Sequence, residues 1–233
     1  MHPLDNPFWY ALIGPQQGFA LGASEARRYF PEVAPFAALR EPSARAWNEL
    51  AALLEPEDGV ALFGPEPLAP PAGWTVRAGF RVLQMVYPHA DLPGRPPGPD
   101  IIDLRPIVEL GPADAPAMQA LVRLTRPGPF AARTHELGAY WGVRHGQTLV
   151  GMAGERARLP GYTEVSAVCV HPEMQRRGLA AALVLKVVGE LLGRGEVPFL
   201  HVALDNPTAH ALYLRLGFED RAELAVTVVT KAR

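Results

Sequence analysis

The chain has 233 residues, 48% of them hydrophobic, with 22 basic against 24 acidic side chains and a formal charge of −2. That length can bury one or two cores, and so balanced a charge leaves no broad basic surface for nucleic acid or an anionic membrane. A single cysteine, Cys169, excludes an internal disulfide framework and cannot alone build a thiolate metal site, so a reducing, cytoplasmic setting is expected.

No apolar run reaches the roughly 18 residues of a spanning helix. The first Lys or Arg is Arg27, so neither a signal peptide nor an anchor is expected. The 25 prolines and 22 glycines fall mostly in short clusters between apolar segments, as in a folded chain.

Along residues 1–99 a small mixed unit is predicted. Residues 6–13 read as a helix, and so do residues 43–54, with Ser43 as N-cap and Ala46, Trp47, Leu50, Ala51 and Leu54 at helical spacing. Residues 59–63, 75–78 and 82–87 read as strands, with a proline-rich connection over 63–74. Trp9, Trp47 and Trp74 are expected in the core or an interface. No catalytic constellation lies here, so the unit is read as structural, with a share in shaping the acceptor pocket.

Residues 88–99 hold five prolines and two glycines, too many breaks for a helix or a central strand, and mark a domain boundary. The second unit, 100–233, opens with a strand over 101–108 and an amphipathic helix over 114–124 carrying Met118, Leu121, Val122 and Leu124 towards one side. A loop at 126–130 follows, then strands over 139–143 and 148–156 joined by a turn at His145-Gly146.

The densest chemistry lies in residues 162–218. Glu164 to Val170 is a valine-rich strand ended by His171-Pro172; after it Gln175-Arg-Arg-Gly178 stands at the mouth of an apolar helix over 179–192. A helix N-terminus offers unpaired amides and partial positive charge, glycine admits a close ligand, and Arg176 and Arg177 add full charges: the ingredients of a pyrophosphate cradle, or of a solvated cap. A further strand, 198–203, leads to a second helix capped by Asn206, begun by Pro207 and closed by Gly217. Asn206, Ala209 and Tyr213 share one face of that helix, which suits a ligand contact or a buried phenol with a bonded hydroxyl.

Other chemistries fit poorly. There is no Walker spacing and no three-glycine dinucleotide fingerprint, Ser166 is not in a nucleophile elbow, Cys169 lies inside a strand, and the histidines lack metal-ligand spacing.

The order Gln175-x-x-Gly178-x-Ala180 after a strand ending in His-Pro, followed by Asn206-x-x-Ala-x-x-x-Tyr-x-x-x-Gly-Phe218, resembles the GNAT superfamily of acyl-CoA-dependent N-acyltransferases. The resemblance spans residues 101–233 and comes nearest the branch containing the C-terminal domain of glycine N-acyltransferases, which often carries a degenerate second half in the N-terminal position. It implies an α/β (α+β) fold with a mixed, mostly antiparallel central sheet flanked by helices. It implies acetyl-CoA or another acyl-CoA as cosubstrate, with no metal, and direct attack by a small-molecule or peptide amine without an acyl-enzyme. Val168, Cys169 and Val170 would offer backbone groups to the pantetheine arm, and Gln175, Arg176, Arg177, Gly178, Leu179 and Ala180 would hold the pyrophosphate. Asn206 and Ala209 would contact the coenzyme, while the strand from Phe199 would diverge to open a cleft. Tyr213 would lie near the sulfur as proton donor. Glu164, where some relatives place a catalytic glutamate, is the candidate base, its pKa expected to be raised by partial burial; a strand-end glutamate is also commonly just solvated. A non-catalytic acyl-CoA binder is the alternative function, and a homodimer is compatible with the chain.

Overall fold

The structure is a computed structural model that describes residues 2–55, 58–93 and 106–232. The elements in chain order are α1 (Pro7–Ile13), β1 (Ala20–Leu21), β2 (Ala26–Tyr29), β3 (Phe36–Leu39), α2 (Ala44–Ala52), β4 (Gly59–Gly64) and β5 (Trp74–Val86). After the linker come β6 (Ile107–Leu110), α3 (Ala115–Thr125), β7 (Tyr140–His145), β8 (Thr148–Leu159), β9 (Tyr162–Val170), α4 (Leu179–Gly193), β10 (Val197–Ala203), α5 (Pro207–Arg215) and β11 (Glu219–Lys231).

Local chemistry explains several boundaries. Ser43 Oγ accepts from the Ala46 amide at 3.2 Å, and the stripe Ala46, Trp47, Leu50 is buried, so α2 forms where cap and periodicity agree. Arg126, in left-handed backbone (φ 49°), ends α3 just before Pro127. Of the four apolar residues predicted to face one side of α3, Met118, Leu121 and Val122 are buried, but Leu124 is 53% exposed. Residues 94–99 of the predicted linker and 101–105 of the strand predicted over 101–108 lie outside the described residues.

All eleven strands join one sheet in the order β1-β2-β3-β4-β11-β5-β10-β9-β8-β7-β6. Among the described residues, only β3–β4 and β9–β10 pair in parallel. Each parallel pair closes the same unit: an antiparallel hairpin (β2–β3, β8–β9), a crossover helix (α2, α4), then the parallel strand (β4, β10). The last strand of each half is exchanged, β11 lying between β4 and β5, and β5 between β11 and β10. The segments predicted separately at 75–78 and 82–87 are therefore one thirteen-residue strand, because β11 pairs along β5 from Trp74 to Val86, past Gly79.

Helices cover both faces. α4 buries Leu183, Val184, Val187, Val188 and Leu191 with Met85, Val165, Leu200 and Tyr213, a cluster in which one large-to-small change costs about 2–5 kcal/mol. Across the sheet, α3 packs Met118, Leu121 and Val122 on Met152 and Cys169, and beside it α1 sets Phe8 and Leu12 against Phe36, Ala157 and Phe199.

Candidate active site

The site is built where β9 leaves β10. Their register is short, Tyr162 with Val197, Thr163 with Pro198 and Glu164 with Phe199; beyond it β10 pairs with β5, and among the described residues β9 from Val165 onward has no partner strand on that side. This is the divergence expected at Phe199. Within the free stretch β9 carries a bulge: Cys169 pairs with Met152 and Ser166 with Gly154, three steps against two, and Ala167 takes φ 51°. The bulge breaks the ladder at the mouth of the opening and re-aims the backbone of Ala167 and Val168.

β9 runs into the loop before α4. Gly178 is the N-cap at φ 78°, and Arg176 also takes positive φ, 63°. Among the described residues, no backbone amide from Arg176 to Ala180 donates a hydrogen bond within the chain. Five consecutive donors are thus left at the positive end of a fifteen-residue helix, with Arg176 and Arg177 exposed beside them. Such an end suits a phosphate or pyrophosphate. Gln175 turns back instead, its Nε2 donating to the Val170 carbonyl at 3.5 Å.

On α5, Asn206 Oδ1 accepts from the Ala209 amide at 3.0 Å, so its acceptor oxygen caps the helix and its amide nitrogen stays available. The C-terminus closes as a Schellman turn: Phe218 N donates to Tyr213 O at 3.0 Å, Gly217 N donates to Leu214 O at 3.1 Å, and Gly217 takes φ 96°. That turn fixes Tyr213, whose ring meets Phe218 with centroids 6.0 Å apart. Tyr213 is 9% exposed, its hydroxyl has no hydrogen-bond partner among the described residues, and burial pushes its pKa up to about 12. It is a protonated donor at neutral pH. Cys169 is buried and pushed up to about 11 by burial, hence a thiol at neutral pH.

Glu164 departs from expectation. It is fully buried, not partly, and its carboxylate is saturated: Arg156 donates from Nε at 2.8 Å and from a terminal nitrogen at 2.5 Å, the Ala157 amide donates at 3.3 Å, and His201 Nδ1 lies at 2.7 Å. Burial alone would raise its pKa, but the Arg156 charge with the Arg156 and His201 hydrogen bonds outweighs it, and the net direction is down. The predicted upward shift is therefore reversed, and an ionised, fully paired carboxylate has no lone pair free for an incoming amine.

The tautomer of His201 follows from its other neighbour. Gln84 Oε1 accepts from Arg221 at 2.7 Å, and Gln84 Nε2 donates to the Leu4 carbonyl at 2.9 Å and to His201 Nε2 at 3.0 Å. With Nε2 accepting, the proton on Nδ1 points at Glu164. Arg221 in turn donates to Asp5 at 2.6 Å, so a polar chain runs from the N-terminus to the point where β9 and β10 part. Sequence reading missed Arg156, Gln84 and His201. Gln84 between Leu83 and Met85, and His201 between Leu200 and Val202, carry the signal of a polar residue inside an otherwise apolar strand; Arg156, among Glu155 and Arg158, carries none.

The loop after α3 leads into a 3-10 turn, Thr134–Leu137. Its end is tied to the N-terminal half: the Arg133 amide donates to Glu32 O at 2.7 Å, Thr134 Oγ1 donates to Val33 O at 2.6 Å, and Gln16 Nε2 donates to Leu137 O at 3.1 Å. Among the described residues, no group of His, Cys, Asp or Glu could hold a metal ion, and no helix is long and apolar enough to cross a membrane.

Comparison with known proteins meets this geometry. The family described as FR47-like protein matches residues 140–226, the span from β7 into β11. The N-alpha-acetyltransferase RimI of Mycobacterium tuberculosis is 39% identical over 100 residues, 40% of this chain; the chain spans 62% of that relative's length. A GCN5-related N-acetyltransferase from Kribbella flavida shares the fold at 17% identity and TM-score 0.59 over 95% of both chains. A crystal structure of a putative acetyltransferase from the GNAT family of Novosphingobium aromaticivorans covers 100% of both chains with 42% identity and TM-score 0.87. With likeness of that extent in sequence and fold, this chain belongs to the GNAT family.

Proposed function

We propose that this protein transfers an acetyl group from acetyl-CoA to a primary amine. The observation that carries the reading is the run of undonated amides from Arg176 to Ala180 at the mouth of α4, reached directly from the unpaired edge of β9. The pyrophosphate takes those amides with Arg176 and Arg177, and the pantetheine arm lies along the backbone of Val168, Cys169 and Val170. Asn206 and Ala209 flank it. The thioester then sits in the opening between β9 and β10, below Tyr213.

The reaction needs no covalent enzyme intermediate. The amine nitrogen, as the free base, attacks the thioester carbonyl carbon; the C–S bond breaks, the N–C bond forms, and the nitrogen loses its extra proton to water. Tyr213 donates its proton to the departing sulfur, a phenol at about 12 being protonated throughout the neutral range. Glu164 acts as a positioning residue, locking Arg156 and His201 so that β9 and β10 part at a defined point. The acceptor class we favour is a peptide or protein α-amine, in line with the relative named an N-alpha-acetyltransferase. A place near the glycine N-acyltransferases rests on the order of motifs and the two-half layout, with 1–99 a degenerate GNAT-like half. A cytoplasmic setting belongs to the same proposal.

Thiol release from acetyl-CoA over a panel of free α-amine peptides, their N-blocked counterparts, lysine and polyamines tests this, alongside calorimetric titration of acetyl-CoA. Release with the free peptides alone is the expected result. Tight binding with no release from any amine would select a non-catalytic acyl-CoA binder instead.

A further inference from the structure

β5 outruns one of its two neighbours. β11 pairs with it from Trp74 to Val86, whereas β10 pairs only with residues 82–86 and ends at Ala203 opposite Val82. Residues 75–81 therefore have a free edge on the β10 side, and among the described residues no backbone group there takes a partner outside the β11 ladder. The chain leaves the lane of β10 at once. Asn206 N donates to Ala203 O at 3.0 Å, Leu204 is 49% exposed in that turn, and α5 passes to the α4 face, where Tyr213 and Leu216 join the core. Residues 75–80 are all exposed, Phe80 by 51%, and a Cβ added at Gly79 would meet no atom within 4 Å.

Such an edge is a row of backbone N–H and C=O groups, about 20 Å long at about 3.3 Å per residue, and what satisfies it is another extended polypeptide. Strand direction places it at the candidate site. β9 and β10 run parallel and part after Glu164 and Phe199, so the open stretch of β9 and the end of β10 lie at one end of the sheet. β5 runs the other way, so its free residues begin at that same end. A peptide continuing the lane of β10 would pair antiparallel with β5, as β10 does, with its first residue beside Ala203. A second copy of this chain fits the edge poorly. Arg77 is the extra residue of a bulge, between Val76 opposite Val229 and Ala78 opposite Val228, and symmetric pairing would set the Arg77 and Arg81 side chains of two copies against each other.

We infer that residues 75–81 of β5 are the docking edge for the acceptor, a peptide or protein N-terminus that adds as an antiparallel strand, its α-amine at the Ala203 end and one of its side chains on Phe80. This rests on the acetyl-transfer reading and adds to it the surface that holds the acceptor's main chain.

The test uses the free α-amine peptide that gives most thiol release, shortened to two residues and extended to six, with and without single backbone N-methyl groups. KM should fall about fivefold for each hydrogen bond gained with length, the worth of one ordinary bond. N-methylation should raise it at every second residue only, because alternate amides of a strand face one edge. In the CoA-loaded protein, hydrogen exchange of amides within 75–81 should slow about tenfold when the hexapeptide is added. A KM indifferent to length and N-methylation, or exchange at 75–81 unmoved by the peptide, overturns the inference and leaves acetyl transfer standing. Slow exchange that appears without peptide and grows with protein concentration also overturns it, in favour of pairing between two copies. Exchange slowed by the hexapeptides with no thiol release from any amine overturns acetyl transfer and keeps the edge. Neither effect with any peptide overturns both.

Discussion

At the residue scale the sharpest contrast is between Glu164 and Tyr213. Both were candidate proton carriers, yet one sits paired on every side and the other keeps an unbonded hydroxyl at the edge of the core. Tyr213→Phe should lower kcat about a hundredfold, within the range of acid catalysis, and leave acetyl-CoA affinity unchanged by calorimetry. Glu164→Gln leaves Arg156 as a buried cation with half its partner. Urea unfolding should show a loss of about 3–5 kcal/mol, the usual cost of breaking one side of a buried pair. The sign of the pH dependence follows: the folded-state pKa lies below the ordinary value of 4.5, so the stability from this carboxylate is complete above 4.5 and is lost as pH falls through the folded value. The wild type should therefore lose stability in acid over that window, and the Gln variant should lose less.

At the scale of elements, the loop before α4 depends on its backbone more than on its charges. Gly178 at φ 78° lets the chain turn into the helix with its amides facing out. A β-branched residue at positive φ is a steric outlier, so Gly178→Val must rotate this backbone. The expected effect is an acetyl-CoA Kd raised about tenfold or more, with α-helical circular dichroism retained; equal affinity would remove the loop from the binding site. α5 is legible for the opposite reason, its cap, its Pro at the first position and its closing glycine being three local signals that agree. β11 carries an alternating run, Leu224, Val226 and Val228, and pairs with β4 and β5, strands far from it in the sequence.

At the scale of the whole molecule, the exchanged strands make the halves interdependent. β10 and β11 are not paired with each other; β5 from the N-terminal half lies between them and pairs with both. A fragment starting at residue 100 would leave two unpaired edges and expose Met85's partners in the α4 core. It is expected to be insoluble or molten by size exclusion and near-ultraviolet circular dichroism, and co-expression with residues 1–99 should restore the fold. The N-terminal half also supplies Gln84, which sets the His201 tautomer, and Glu32 and Val33, which tie down the end of the loop after α3. It carries no chemistry of its own in this reading and still shapes the site.

What the sequence by itself determined is what short-range chemistry encodes: the caps of α2 and α5, the apolar α4, the valine-rich β9 and the glycine turn that opens α4. Those features need only neighbours within a few residues, so they are readable in one dimension. The tertiary structure alone decided the state of Glu164, because its pKa depends on Arg156 and His201, brought beside it by β8 and β10. It also decided the bulge at Ala167, the exchange of β5 and β11, and the free edge of β5 beyond the end of β10. Each of these is a matter of register between strands distant in sequence, and register is settled only when the sheet is assembled.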